Sequence, residues 1–461
     1  MGVLLKTGTR YIIIKTYVIQ SEKGEKKMKI AVAGTGYVGL VTGVCLAEHG
    51  HTVTCVDVDE NKVKMMESGK SPIYEPGLEE LMVKNMDHLY FTTDYQKAYV
   101  DADVIIIAVG TPEKKDGSAN LAFVFGVAAQ IAASISKECV VIVKSTVPIG
   151  TNDEVERILN ENPKELKVHV ASNPEFLAQG TAVPDTMHAS RIVLGVNDDF
   201  AKEKLQEMYK DFDAPVMTCN RRSAEMIKYA SNDFLALKIS YMNEVANLCE
   251  AIGADVEEVA KGMGFDERIG NRFLHAGIGY GGSCFPKDTK ALHYLSAQNG
   301  CEMMTVKAAI EVNANQKYKL SKKARKYYPD YNGLTIAVLG LTFKPGTDDL
   351  REAPSLVNVP VFLEDGANVK AWDPVGVENF KKRIPDESIT YCDTVEETLK
   401  DADICFIFTE WKEVKELDLN KYAGLMKTPI VMDGRNCYKM SDVKNAKILY
   451  ESIGREIVDN R

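Results

Sequence analysis

The sequence predicts an α/β protein with two doubly wound halves around a helical middle, on three observations. Short β-branched runs alternate with helical stretches from Lys29 to about residue 220. The alternation then gives way to helical spacing alone, and it restarts at Thr335. The 461 residues are 45% hydrophobic and 26% charged, a globular composition that excludes a disordered, collagen-like or coiled-coil chain. At roughly 150 residues per domain, two to four domains are expected. A formal net charge of −10 argues against nucleic acid or an anionic membrane as a partner. It leaves room for an anionic small substrate held by local cations. No apolar run approaches the ~20 residues that a bilayer requires.

The elements follow in order. Residues 11–19 are apolar but interrupted by Lys15. Glu22, Lys23, Glu25, Lys26 and Lys27 follow without a small-residue cleavage site, so no secretory signal is expected. Residues 1–27 read as an extension outside the fold, and the chain as cytoplasmic. From Lys29 the order is strand (29–33), Gly-rich turn (34–39), apolar helix through Leu46, and strand (52–57). Further strands are expected at 104–109, 140–144 and 168–172. Strands alternating with helices imply a parallel sheet. From Ser223 to about Gly262, Met226, Ile227, Ala230, Phe234, Leu237, Met242, Val245 and Leu248 recur at helical spacing. This predicts a long helix that joins the halves and offers a surface for a homodimer or higher homo-oligomer. A Gly-rich loop (264–282) and a second helical stretch (288–327) complete the middle. Strands return at 335–340, 368–374, 404–408 and 429–434. The expected division is 28–220, 221–327 and 328–461.

The ten cysteines are scattered, with no CxxC pair and no Cys/His ligand spacing. Neither a disulfide framework nor a metal site is expected, and nine of the ten read as core residues. The first strand runs into Gly34-Thr35-Gly36-Tyr37-Val38-Gly39 and then a helix, and Asp57 ends the second strand. In that context the glycines permit a tight turn and let backbone approach a pyrophosphate at the helix N-terminus. Asp57 suits the ribose hydroxyls and would repel a 2′-phosphate. The halves are therefore Rossmann-like, and NAD is the expected cofactor, with Lys62 nearby tempering the preference over NADP. Thr111-Pro112 and Ser145-Thr146 follow two strands at the sheet's carboxyl end, where ligands bind. In the last domain, Lys344, Arg351 and Arg435 stand near strand ends, either as a diphosphate clamp or as ordinary solvated cations.

The segment from Phe273 to Asp288 carries the chemistry. Gly277, Gly279, Gly281 and Gly282 imply sharp bends or close approach to a ligand, and Cys284 then stands at the mouth of a helix. Free N–H groups, the helix dipole and Lys287 would favour its thiolate. Asp288, one turn on, could act as base or orient a water. Lys228 and Asn232, four residues apart, share a helix face. They form either a donor pair for an oxyanion or a solvated face. A nicotinamide site with an activated thiol points to oxidation of an aldehyde to an acid through a thioester.

These motifs, together with Asp116-Gly117-Ser118-Ala119-Asn120, Ser145-Thr146-Val147-Pro148-Ile149-Gly150-Thr151, Ser172-Asn173-Pro174-Glu175-Phe176-Leu177 and Phe343-Lys344-Pro345-Gly346-Thr347-Asp348-Asp349, resemble the UDP-glucose and GDP-mannose dehydrogenase family from Met28 to the region of Arg435. The resemblance implies a four-electron oxidation of a nucleotide sugar at C6 with two NAD per turnover, and UDP-glucose as the substrate. It implies Cys284 as nucleophile, Lys228 and Asn232 as oxyanion donors, Asp288 with Thr146 around the catalytic water, and Glu175 in thioester turnover. It implies NAD contacts at the Gly34–Gly39 turn including Tyr37 and Val38, and at Asp57, Lys62, Thr111, Pro112, Thr146, Gln179, Lys287 and Arg351. Substrate contacts are implied at Glu175, Phe176, Leu177, Ala178, Gln179, Lys228, Asn232, Phe273, Leu274, His275, Ala276, Gly277, Gly281, Lys344 and Arg435, with Arg268 reaching a neighbouring subunit's nucleotide. Two departures stand out: Gln179 occupies a position where many members carry Glu, and residues 1–27 have no counterpart. GDP-mannose and UDP-N-acetylhexosamine oxidation use the same chemistry and remain alternatives, although Ser283 stands where the N-acetylmannosamine enzymes usually carry His. A two-electron hydroxyacid dehydrogenase, or a non-catalytic NAD-sensing module, would leave Cys284 without a role.

Overall fold

The computed structural model describes residues 27–461 and, for the backbone, residues 3–7 and 10–14. The strands Val3–Thr7 and Arg10–Ile14 pair antiparallel as a separate two-stranded sheet. The rest of the expected extension lies outside the described residues.

Two large sheets form the body. The first has eight strands in the order Val216–Cys219, Ile192–Gly195, Val168–Ser172, Cys139–Val143, Val104–Ile107, Lys29–Ala33, Thr52–Val56, Leu89–Thr92. The second has seven, in the order Ile389–Tyr391, Asn368–Trp372, Thr335–Leu339, Ile404–Ile407, Ile430–Asp433, Leu449–Glu451, Val458–Asp459. In both sheets the chain winds outward from a first strand and then returns to its other side. Each sheet thus has a switch point, between Lys29–Ala33 and Val104–Ile107 in one and between Thr335–Leu339 and Ile404–Ile407 in the other. Ligands lodge outside the carboxyl ends of strands at such points.

The α/β class is as the sequence implies, with two corrections. The sheets are not wholly parallel: Ser172 pairs antiparallel with Gly195, and Val458–Asp459 runs antiparallel to Leu449–Glu451. Several strands are short and half-exposed, such as Leu89–Thr92 and Val216–Cys219, so no sustained apolar run announces them. The strands buried on both faces, such as Val104–Ile107 and Cys139–Val143, are the ones that read plainly.

The central helix spans Arg221–Ile252 and stops at Gly253, whose φ of 77° is left-handed; a separate helix, Val256–Gly264, follows. The stretch expected as helical from 288 to 327 is three helices, Phe285–Gln298, Met304–Gln316 and Lys319–Ala324. The central helix is anchored at both ends. Arg221 pairs with Asp153 and Glu156, and Glu225 accepts from Gly150 N and Asn152 N. At the far end Glu250 pairs with Lys323 and accepts from Gly454 N. Met242, Ala246 and Cys249 enter the core under the second sheet. All ten cysteines are free; Cys301, expected in the core, is exposed at the end of the helix Phe285–Gln298. Among the described residues no helix is long and apolar enough to cross a membrane.

Candidate active site

At the first switch point the glycines divide the work. Gly34 has φ 97°, and a Cβ there would stand 2.8 Å from Ala108 O. A Cβ on Gly39 would stand 1.9 Å from Gly34 O, so the helix Tyr37–Glu48 can close on the turn only without one. At Gly36 a Cβ would meet nothing within 4 Å. That open space adjoins a helix N-terminus without a side-chain cap, the geometry a pyrophosphate needs. Thr35 N and Oγ1 both donate to Asp57 Oδ2, and Asp59 N donates to Asp57 Oδ1 at 3.0 Å. Burial pushes the Asp57 carboxyl up, but these donors and Lys62 outweigh it and hold it below the usual range. An ionised carboxylate beside an open glycine turn fits a dinucleotide.

The second switch point repeats this pattern and closes it. Gly340, φ 89°, takes the place of Gly34, and a Cβ there would meet Thr409 Cβ at 2.3 Å. Asp373 ends the second strand as Asp57 does. Its oxygens accept from Leu341 N, Thr342 N and Oγ1, Val375 N, Gly376 N and Trp411 Nε1. No acceptor capacity is left for a ribose, so this domain does not hold a second dinucleotide in the same manner.

The catalytic candidates converge between the two sheets. Lys228 Nζ donates to Glu175 Oε1 at 2.9 Å, with side chains 3% and 6% exposed. Asn232 Nδ2 donates to Asp288 Oδ2 at 2.7 Å. The donor pair therefore lies inside the protein, not on a solvated face. Burial pushes the Lys228 ammonium down, but Glu175, Cys284 and Asp288 outweigh it and hold it charged. Lys287 Nζ lies 2.9 Å from Asp288 Oδ1 and donates to Thr111 Oγ1 at 3.1 Å. Thr111 Oγ1 in turn donates to the Thr146 carbonyl at 2.9 Å. The strand ends that carry Thr111 and Thr146 and the helix Phe285–Gln298 are thus tied by one chain of hydrogen bonds. Thr146 enters it through its backbone.

Cys284 occupies the N-cap position of the helix Phe285–Gln298 and is exposed, its Sγ 3.6 Å from Ser283 Oγ. Its resting state corrects the expected thiolate. Burial within the cleft and the carboxylates of Glu175 and Asp288 push the thiol up, and Lys228 and Ser283 pull against them without prevailing. Lys287 does not help, because its charge is directed at Asp288.

The Gly-rich lead-in also differs from expectation. Its glycines approach protein: a Cβ on Gly281 would stand 2.7 Å from Glu352 O, and one on Gly277 2.9 Å from Gly434 O. Three buried amides hold the loop. Asn243 Oδ1 accepts from Gly277 N, Gln316 Nε2 donates to Gly277 O, and Asn313 bonds both Tyr280 N and Tyr280 O. Leu274 and Ala276 are buried with it, while Phe273 and His275 face outward.

The segment from Glu175 to Gln179 is shaped by partners that sequence reading missed. Leu177 N donates to Glu175 Oε2, and Ala178 N to Asp185 Oδ2. Glu75, buried, accepts from Gly180 N and Ala182 N at 2.8 Å each. Phe176 lies under the Arg191 guanidinium, 3.8 Å from its ring centroid. The three cations of the last domain are not one free cluster. Arg435 donates to the carbonyls of Phe408, Gly279 and Phe343, and Arg351 forms a two-pronged pair with Asp349. Lys344 is the available one, its ammonium pushed down by burial. Arg268 is exposed and paired with Asp266. An open cavity of about 350 Å³ lies between Tyr37 of the glycine turn and Arg351, Asn379, Lys382 and Arg383 of the last domain, beside the 2.7 Å hydrogen bond that the Tyr37 hydroxyl donates to Asp348 Oδ1.

This geometry coincides with a known set of domains. Residues 28–213 match the NAD binding domain of the UDP-glucose/GDP-mannose dehydrogenase family, 222–315 its central domain and 337–440 its UDP binding domain. The chain belongs to the UDP-glucose/GDP-mannose dehydrogenase family. UDP-glucose 6-dehydrogenase YwqF of Bacillus subtilis is 49% identical over 434 residues, 94% of this chain and 98% of the relative. UDP-glucose 6-dehydrogenase of Rhizobium meliloti is 46% identical, covering 93% of this chain and all (100%) of the relative. Among solved structures, a UDP-glucose dehydrogenase from Pyrobaculum islandicum superposes with a TM-score of 0.88 at 37% identity, over 94% of this chain and 99% of that one. The open first switch point lies in the matched NAD binding domain and the plugged second one in the matched UDP binding domain.

Proposed function

We propose that this chain is an NAD-dependent UDP-glucose 6-dehydrogenase that makes UDP-glucuronate. The observation that carries the reading is an accessible Cys284 set against the buried groups Lys228, Asn232, Asp288 and Glu175, across from the open Gly36 turn. Relatives bearing that activity in their names support the choice of sugar.

Bound NAD would supply the hydride acceptor for each of two oxidations. It would be held by the Gly34–Gly39 turn, Asp57, Lys62, Thr111, Thr146, Lys287 and Arg351. The chain's own groups do the rest. Lys228 and Asn232 donate to the C6 oxygen wherever it carries charge, in the alkoxide and in the tetrahedral adducts. Asp288 takes the hydroxyl proton. The Cys284 sulfur adds to the C6 aldehyde, and the resulting thiohemiacetal loses hydride to become a thioester. Asp288, with Thr146, orients the water that attacks this ester; Glu175 assists, and Cys284 leaves as thiol. The balance is one alcohol, two NAD and one water to one carboxylate, two NADH and three protons. The sugar nucleotide would lie along Glu175 to Gln179, Phe273 to Gly277 and Lys344.

A dimer through the central helix belongs to the same proposal. Phe234, Tyr241 and Leu248 recur every seven residues on that helix and are 61%, 52% and 59% exposed, an apolar stripe that a second copy would cover. Free cysteines throughout suit the cytoplasm.

The test is stoichiometric. Purified enzyme with limiting UDP-glucose should release about two NADH per sugar, as four-electron chemistry requires. One NADH per sugar, or turnover with GDP-mannose alone, overturns the reading. Cys284→Ser should stop before free acid appears; full turnover in that variant removes the thioester route.

A further inference from the structure

Behind the catalytic residues, the central helix and the helix Phe285–Gln298 share a polar seam that the chemistry above does not use. Tyr229 and Asp233 are one turn apart on the central helix and so share a face. They are 1% and 3% exposed. Tyr229 packs with Ala291 and Leu292, one turn beyond Asp288 on the facing helix. The Tyr229 hydroxyl and both Asp233 carboxyl oxygens are buried without a hydrogen-bond partner among the described residues. Tyr280, from the Gly-rich loop, closes the seam near Ser240 and Thr289, and its phenol senses Asp233.

A buried carboxylate without a donor costs several kcal/mol, so the group stays protonated. The one charged group acting on Asp233 is Asp288, across the helix pair; Glu225 acts on Tyr229 from their own helix. Burial, and then the Asp288 charge, push the Asp233 carboxyl up to about 8. At neutral pH it is therefore a carboxylic acid, and a donor. The adjacent residue, Asn232, already grips Asp288 Oδ2 from the same helix turn.

We propose that Asp233 is a positioning residue: a neutral carboxylic acid that hydrogen-bonds Asp288 through one buried water shared with Tyr229, and so sets the orientation and basicity of the carboxylate facing Cys284. Of the two carboxyls in the seam, Asp233 then carries the proton. This rests on the dehydrogenase reading, in which Asp288 is the base.

The experiment uses full-length, NAD-saturated enzyme in three forms: wild type, Asp233→Asn and Asp233→Ala. Asparagine keeps a donor and cannot ionise. Wild-type kcat should fall in a step near pH 8 as Asp233 ionises. Asp233→Asn should keep most of the neutral-pH kcat and lose that step. Asp233→Ala should lower kcat by about tenfold to a hundredfold, the worth of a hydrogen bond to a charged group, with little change in the KM for UDP-glucose. A group that merely fills space would move thermal stability and leave the pH profile alone. Infrared spectra give a readout free of turnover. The carbonyl band of a protonated carboxylic acid should be present in wild type at neutral pH, fade above about 8, and be absent from Asp233→Asn. Superimposable pH profiles for wild type and Asp233→Asn, or infrared spectra that do not differ between them, overturn the proposal. Wild-type enzyme that makes no NADH from UDP-glucose refutes the dehydrogenase reading instead, and the infrared arm still reports on Asp233.

Discussion

Replacing Lys228 with Met tests whether the buried ion pair organises the site. Methionine keeps the aliphatic stem and removes the charge, leaving Glu175 6% exposed. Its remaining hydrogen bond is from Leu177 N, at 2.8 Å. Breaking a buried pair from one side costs about 3–5 kcal/mol, because the surviving charge is uncompensated. Lys144 moderates that figure. It is buried, bonded to Asn173 Oδ1 at 3.0 Å, and its charge couples to that of Glu175. The lower end, about 3 kcal/mol, is therefore expected. Converting the survivor as well, in Lys228→Met/Glu175→Gln, should recover about 2 kcal/mol, a coupling within the range found for contacting residues. Catalysis should move differently. Both variants lack the donor to the C6 oxygen and should lose about 10²–10³ in kcat. Calorimetric unfolding of the ligand-free enzyme reads the first quantity and NADH release the second. Equal stability of the single and double variants would refute the structural argument. Retention of most of the kcat in Lys228→Met would refute the catalytic one.

Other consequences are as direct. Gly36→Ala should fold as wild type yet raise the Kd for NAD by at least about tenfold, or about 1.4 kcal/mol, read by titration calorimetry. Gly39→Ala should instead destabilise the domain by about 3 kcal/mol or more, since its Cβ would meet Gly34 O at 1.9 Å; equal behaviour of the two variants would refute this division of roles. His51 Nδ1 accepts from Met28 N at 3.2 Å and its Nε2 faces Met208 O at 3.1 Å, and burial holds the ring below its ordinary value. The unfolded chain therefore takes up this proton first. Stability is whole above about pH 6.5 and falls as pH drops from there through the folded value. His51→Asn should flatten that part of the acid-denaturation curve, and an unchanged curve counts against the assignment. Phe234→Glu with Leu248→Lys should give a smaller particle in sedimentation velocity; an unchanged sedimentation coefficient would remove the central-helix dimer.

The legible parts of the site have short reach in sequence. The glycine turn, Asp57, and the four-residue spacing of Lys228 and Asn232 are local patterns, each set by helix or strand periodicity. Cys284 stands out because glycines precede it and charges follow it. Glu75 does not, because it acts on Gly180 across 105 residues. Asn243 and Asn313 hold the catalytic loop from 34 and 33 residues away. An isolated Glu or Asn on a helix carries no sign of such a duty. Likewise the short edge strands lack an apolar run, since one side faces water.

Composition, periodicity and motif spacing were enough to establish two α/β halves and a helical connection, and to single out the glycine turn and Cys284 as candidates. These follow from the sterics of single turns and from which faces must be apolar. Charge state and occupancy were decided by the packed molecule. Asp57 and Asp373 end equivalent strands, yet only Asp57 stands beside an open turn, because six donor atoms from three neighbouring segments of chain surround Asp373. The Cys284 thiol is pushed up, although it stands at a helix N-terminus, by burial and by the carboxylates of the remote Glu175 and of Asp288, one turn on. Burial and the distance between remote charges govern both outcomes, and neither quantity exists until the chain is folded.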